Sequence, residues 1–133
     1  MAELPDGVRE AFEDTNFWHL ATVNPDGSPQ TTPVWVSTRD GKILVNTALG
    51  RKKPRNIERD PRVALSWHGT DENGAYRNIQ VQGRVVDTIT GDQAEQDIDS
   101  LALKYIGEET YPWRREGEQR VTYLIEPLRI LGG

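Results

Sequence analysis

The densest group of chemically useful side chains lies between residues 51 and 62. Arg51, Lys52, Lys53, Arg55, Arg59 and Arg62 stand there against only Glu58 and Asp60. Six of the sixteen basic residues fall in this segment, and the rest of the chain holds ten basic and nineteen acidic residues. A basic cluster on an acidic body suits a small anion. The alternative is a solvated, charged helix face. Arg51, Lys53 and Arg55 could pair with a phosphate, the arginines through their planar fork and the lysine as a point charge. Proline disfavours helical backbone in the residue before it, so Lys53 is expected to be extended. Pro54 then opens a short helix to Arg59, closed by Asp60-Pro61, and a start one residue to either side is equally compatible. Its first amides would add free donors and a favourable dipole for an anion. Asn46 and Thr47, at the end of a strand just before the cluster, could donate to the same group.

Other chemistries are poorly supplied. The chain has no cysteine, which excludes disulfides, thiolate nucleophiles and cysteine-based metal clusters. Its two histidines, His19 and His68, are too few for an all-histidine metal site, and no metal site is expected. Serine-hydrolase elbows, phosphate-binding Walker loops, dinucleotide fingerprints and zinc-protease motifs are all missing from the sequence. His19 falls inside a strand and reads as a neutral, hydrogen-bonded structural residue. His68 falls at a strand end beside a loop and is the one candidate for catalytic proton transfer. Trp18, Trp35 and Trp67 read as core or interface residues, while Tyr111 and Trp113 sit in a loop that could cover a flat ring. Asp97 and Asp99 point in different helical directions, and Glu108-Glu109 reads as a solvated pair. If the protein is an enzyme, a bound cofactor supplies its reactivity.

The elements that must hold these residues are legible from periodicity. The chain has 133 residues, net charge −5 and 35% hydrophobic residues, which suits one domain spanning 1–133. The acidic balance argues against a nucleic-acid binder. No apolar run is long enough for a membrane span, and the N-terminal MAELPDGVRE lacks signal-peptide character, so a cytoplasmic protein is expected. Val8, Ala11 and Phe12 mark a first helix. From Trp18 the period is two, with Leu20 and Thr22 on one side and Ala21 and Val23 on the other. Asn24 to Ser28 is a turn; a second strand through Thr31 to Val36 carries Pro33, which places it at an edge, bulge or irregularity. Asp40-Gly41 turns the chain into a third strand, Lys42 to Asn46.

A fourth strand covers Arg62 to Trp67, and a polar loop with His68 leads to a long strand from Tyr76 to Thr88. Gly83 marks a bulge or close packing within it. Thr90-Gly91-Asp92-Gln93 fits a capping box, opening a helix with Ala94, Ile98, Leu101 and Tyr105 on one stripe. A loop over 107–119 precedes a strand from Arg120 to Glu126, and Leu128 to Leu131 adds a short seventh. Six or seven strands with two or three short helices define a mainly β, α+β chain, expected to close as an antiparallel barrel.

Four segments then converge on a known pattern: Leu20-Ala21-Thr22-Val23, Pro25 to Gln30, Pro33-Val34-Trp35, and Arg51 to Ile57 with Asp60-Pro61-Arg62. Together they resemble the pyridoxamine 5′-phosphate oxidase-like split β-barrel family, and more closely its deazaflavin-dependent actinobacterial branch, which uses coenzyme F420. The likeness runs from Trp18 to Glu126. It implies a six- or seven-stranded antiparallel split barrel and a homodimer with cofactor sites at the subunit interface. The ring system would lie against Gln30, Thr31, Thr32, Pro33 and Val34. The phosphate would meet Arg51, Lys52, Lys53 and Arg55, with Asn46 and Thr47 nearby, and Gln80 and Trp113 would contribute from either subunit. Pro54 departs from the ordinary helix former of relatives.

The resemblance implies an F420-dependent oxidoreductase that passes a hydride to an electron-poor small molecule of enone, quinone or tetrapyrrole type. Four basic residues within Arg51 to Arg55 suit this long, polyanionic cofactor. The alternatives are an FMN-binding oxidase-like protein and a non-catalytic carrier of F420, flavin or haem. Partners other than the substrate and a second copy, including nucleic acid and membrane, are not expected.

Overall fold

The computed structural model describes residues 3–133. Its elements run α1 (Asp6–Glu13), β1 (Trp18–Val23), β2 (Pro29–Val34), β3 (Ser37–Arg39), β4 (Lys42–Ala48), α2 (Lys52–Arg59), β5 (Arg62–Thr70), β6 (Tyr76–Ile89), α3 (Asp92–Ile106) and β7 (Arg120–Gly132). All seven strands form one antiparallel sheet in the order β2-β1-β5-β6-β7-β4-β3. The two edge strands, β2 and β3, are consecutive in the chain and separated only by Trp35 and Val36. A sheet whose two edges are joined by so short a link must roll up on itself. The ladder does not close between β2 and β3, so the barrel is split there rather than closed as periodicity alone suggests.

Rolling creates an inside and an outside. Inside, Trp18, Leu20, Ile43, Val45, Leu65, Ile79, Val81, Val121, Tyr123 and Ile125 form the main core, with Val8, Ala11 and Phe12 of α1 packed into it. Phe12 stacks on Trp18 with ring centroids 3.8 Å apart. A second cluster lies outside, where α3 lays Ile98 and Leu101 over Leu44 and Leu124. This explains why both faces of β4 and β7 are buried beneath α3, whereas β1 alternates strictly between Trp18, Leu20, Thr22 and their outward neighbours.

Several local expectations are corrected. The helix after the basic cluster starts at Lys52, not Pro54, with Arg51 as N-cap. Lys53 is helical, and Pro54 is the third helical residue, where the missing N–H is one of those left without an intrahelical partner anyway. The Thr90 capping box does not form: Gly91 caps α3 at φ 75°, and Gln93 instead donates to Asp97. Strand β5 runs on to Thr70, so His68 lies within it. The last two predicted strands are one, because a bulge at Gln82/Gly83 places Gly83 opposite Pro127 and absorbs the missing donor. A Cβ on Gly83 would come within 2.7 Å of Ile125 Cγ2 and 2.9 Å of the Glu126 carbonyl oxygen, so only glycine fits.

Candidate functional site

The site begins with how α2 is anchored. Asn56 is fully buried and donates to Thr22 Oγ1 at 3.0 Å, Asn24 Oδ1 at 3.1 Å and, more weakly, Gln30 Oε1 at 3.5 Å. Arg59 donates to the Val23 carbonyl at 2.6 Å and to Asn56 Oδ1 at 2.9 Å. These bonds tie the inner face of α2 to β1 and β2. They leave the first turn, with Arg51 and Lys53, facing a cleft of about 350 Å³.

The cleft has two unlike ends. Its polar end is made by Asn46 and Thr47 of β4, Arg51 and Lys53, and Arg120 at the start of β7. Pairing of Ala48 with Arg120 brings this last residue beside Thr47. Arg120 is only 3% exposed; its Nε donates to Asn46 Oδ1 at 3.0 Å and its Nη1 to Glu118 Oε1 at 2.7 Å. Asn46 also donates to the Ala94 carbonyl and to Thr122 Oγ1, both at 2.9 Å. Lys53 donates to Thr32 Oγ1 at 3.1 Å. Burial, then the neighbouring charges of Arg51 and Arg120, push the Lys53 ammonium below its ordinary pKa. No carboxylate pairs with it among the described residues. Thr47 Oγ1 is buried without a hydrogen-bond partner, again among the described residues. Buried hydroxyls are nearly always paired, so this one marks an unmet donor in a cationic setting.

The other end is aromatic. Trp35, in the step between β2 and β3, stacks on Tyr105 at 5.4 Å and meets Tyr111 edge-on at 6.1 Å and Trp113 at 6.3 Å. Phe17 completes the wall. The loop carrying Tyr111 and Trp113 is held on α3: the Tyr111 N–H donates to Asp99 Oδ1 at 2.8 Å, and Arg114 pairs with Glu95 and Asp99, both at 3.1 Å. Arg120 lies 5.1 Å from the Tyr111 ring centroid and so touches both ends. Pro33, Val34, Ile98 and Leu101 line the middle. The arrangement offers an anion subsite at one end and flat apolar walls at the other.

Of the residues singled out from sequence, Pro33, Val34, Asn46, Thr47, Arg51, Lys53 and Trp113 line this cleft. Thr32 reaches it through Lys53, and Gln30 supports Asn56 beneath it. Lys52 and Arg55 are exposed and do not line it. Thr31 and Gln80 lie in a separate outer groove of about 400 Å³ with His19, Ser66 and Gln82. His19 is exposed there, not a hydrogen-bonded core residue, because the register that buries Trp18 and Leu20 turns it outward. His68 is exposed near Tyr76 and does not line this chain's cleft. Arg120, Phe17 and Tyr111 join the lining, and Glu118 stands behind it. Only the long-range pairing of β4 with β7 reveals the part played by Arg120.

Comparison with known proteins agrees with this architecture. The family model for pyridoxamine 5′-phosphate oxidase matches residues 4–131. The chain therefore belongs to the pyridoxamine 5′-phosphate oxidase family, an oxidoreductase family built on this split barrel. A solved F420 reductase is 31% identical, with 96% of this chain and 98% of that chain covered at a TM-score of 0.80. A conserved protein of Mycobacterium tuberculosis, Rv2991, is 23% identical over 99% of this chain and 84% of that one, with a TM-score of 0.76, and shares the fold. A pyridoxine/pyridoxamine 5′-phosphate oxidase of Rubrobacter xylanophilus is 33% identical over 79 residues, which are 59% of this chain but 35% of that protein. The chain thus matches about a third of that curated relative.

Proposed function

We propose that the cleft binds coenzyme F420 and that the protein is an F420-dependent oxidoreductase acting on an electron-poor, planar small molecule. The observation that carries this is the cleft's polarity: at one end Lys53, with no carboxylate partner among the described residues, half-exposed Arg51, and the Thr47 hydroxyl, unpartnered among the described residues; at the other, aromatic walls. The donor set fits a phosphate-bearing cofactor with a flat ring. Arg51, Lys53 and Thr47 would hold the phosphate, Pro33 and Val34 would back the ring, and Trp35 and Trp113 would flank it. When bound, F420 supplies hydride chemistry at its ring. The chain's part is to hold the rings at near-attack distance and keep water out. Likeness to the F420 reductase over nearly the whole of both chains supports this cofactor.

An FMN-binding oxidase-like protein is the second reading, favoured by the family model itself. A carrier without catalysis is the third. Thr31 and Gln80, which do not line this chain's own cleft, are assigned to the interface of a homodimer, where a second copy would bring them to a neighbouring site. Light scattering should then give twice the monomer mass, and a strict monomer at high concentration contradicts the interface.

The activity test is oxidation of reduced F420 by a panel of enones, quinones and tetrapyrroles. Turnover that requires the protein supports the enzyme. Tight binding without turnover of any acceptor favours the carrier.

A further inference from the structure

Three cations and the Glu118 carboxylate meet at the polar end of the cleft, with Glu95 behind them accepting the Arg120 backbone N–H at 3.0 Å and paired with Arg114, and they are not equivalent. Glu118 accepts from Arg120 Nη1 through Oε1 at 2.7 Å and from Arg51 Nη2 through Oε2 at 3.5 Å. The Glu118 side chain is 6% exposed, so its charge is held almost out of solvent. Burial opposes its ionisation, but the hydrogen bond from Arg120 and the charges of Arg120 and Arg51 outweigh this and keep its pKa below the ordinary value.

The two arginines differ in freedom. Arg120 is buried, short-bonded to Glu118 and fixed a second time by Asn46. Arg51 is half exposed, sits at the N-cap of α2 and makes a contact at the limit of a hydrogen bond. It also lines the cleft, on the side of Lys53 and the unpartnered Thr47 hydroxyl. Arg51 therefore has two anionic stations within reach: the Glu118 carboxylate, and any anion seated against Lys53 and Thr47.

We propose that Glu118 is an internal counter-ion that competes with the ligand's anionic group for Arg51 and thereby sets the cleft's affinity and charge selectivity. Without ligand, Glu118 relieves the mutual repulsion of Arg51, Lys53 and Arg120. When an anion enters, Arg51 leaves Glu118 for it, while Arg120 keeps Glu118 in place. A ligand of higher charge offsets the lost Arg51–Glu118 contact better than one of lower charge, so the residue discriminates against weak anions. This inference rests on the anion-binding reading of the cleft and specifies how that binding is regulated.

The test is a titration of wild type, Glu118→Gln, Arg51→Gln and the double variant with F420, FMN and inorganic phosphate, at low and high salt. Glu118→Gln should bind the preferred cofactor roughly two- to fivefold tighter, the scale of one half-exposed ion pair, with a steeper loss of affinity in salt. The gain should vanish in the Arg51→Gln background, since the competition is for that side chain. Equal or weaker binding by Glu118→Gln, or a gain that survives loss of Arg51, overturns the proposal and leaves Glu118 as a fixed support for Arg120. If circular dichroism shows Glu118→Gln to be unfolded, Glu118→Asp replaces it. The shorter carboxylate keeps a charge beside Arg120 but recedes from Arg51, and a smaller gain is expected; no gain overturns the proposal. Failure of wild type to bind any of the three probes overturns the anion-site reading as well. Binding that Arg51→Gln weakens and neither Glu118 variant strengthens overturns this inference alone.

Discussion

The two ends of the cleft are built in opposite ways. At the cationic end, the supporting residues are buried and multiply bonded: Arg120 is 3% and Asn56 is 1% exposed. At the aromatic end, Trp113 and Phe17 are each 59% exposed and held by ring contacts. Buried networks specify one geometry, because any unmet partner is costly there. Exposed rings adapt. The difference teaches that the cationic end is built to hold one fixed geometry, whereas the aromatic end offers an adaptable surface, which under the proposed function would suit a shared anionic feature and a variable flat group.

The largest effect expected from this contrast is on stability at the rigid end. Arg120→Ala would leave the Glu118 carboxylate buried with a backbone hydrogen bond from Arg115 and only the weaker Arg51 contact as a charge partner, and removing one partner of a buried pair costs about 3–5 kcal/mol. A urea midpoint close to wild type would show the network to be dispensable. Lys53→Ala should act on binding instead, weakening the cofactor by about 1–3 kcal/mol, as for a charged hydrogen bond. It should not destabilise the ligand-free protein, because a desolvated cation flanked by Arg51 and Arg120 is removed.

Between the two ends, Lys104 offers a check by pH. Its ammonium donates to the carbonyls of Phe12 and Val36, at 2.7 and 2.6 Å, and so pins the step that carries Trp35. Burial lowers its pKa from 10.5 to about 8, a shift that Asp14 and Glu13 partly oppose. Between these values the unfolded chain holds more protons than the folded one, so stability should rise from pH 8 to about 10. Above that, Tyr123, whose pKa burial raises to about 12, gives the opposite slope. The rise should shrink in Lys104→Met, where Lys53, whose pKa is also lowered, still contributes a part of the same sign; an equal rise in that variant assigns it elsewhere.

Smaller effects belong to the open end and the surface. Trp113→Ala should cost about 0.5–1.5 kcal/mol in cofactor or acceptor affinity, the scale of one aromatic pair, with little change in melting temperature. Arg55→Ala, exposed and off the cleft lining, should change affinity by less than about 0.5 kcal/mol, and that small effect should vanish in high salt. A loss at Arg55 as large as at Lys53 would extend the anion site along the outside of α2.

What the sequence disclosed divides along the same line. Alternation around Trp18 to Val23, the edge strand implied by Pro33 and the constraint at Gly83 are local signals, and the structure contains each. The place of the basic cluster beside a strand end was equally legible. The start of α2 was not, since Pro54 tolerates the third helical position as well as the first. The capping box at Thr90 yielded to a glycine cap because Gln93 finds Asp97, itself held by Arg39 and Thr122. Glu118, and the place of Arg120 beside Thr47, were illegible for a different reason. Their role depends on β4 pairing with β7, a contact more than seventy residues long that no local pattern encodes. His19 reads from its strand as structural and His68 from a strand end beside a loop as a candidate, but register turns His19 outward and β5 runs on past His68, so neither lines the cleft.

The most direct test of the central claim is a paired titration of ligand-free protein with F420 and with FMN, in wild type and Lys53→Ala. The account predicts tight, salt-sensitive binding of F420, weaker binding of FMN, and a loss of about 1–3 kcal/mol for F420 in the variant. Preference for FMN would keep the fold and the cleft but move the chemistry to a flavin. F420 affinity that is indifferent to both salt and Lys53 would contradict the anion site on which the account depends.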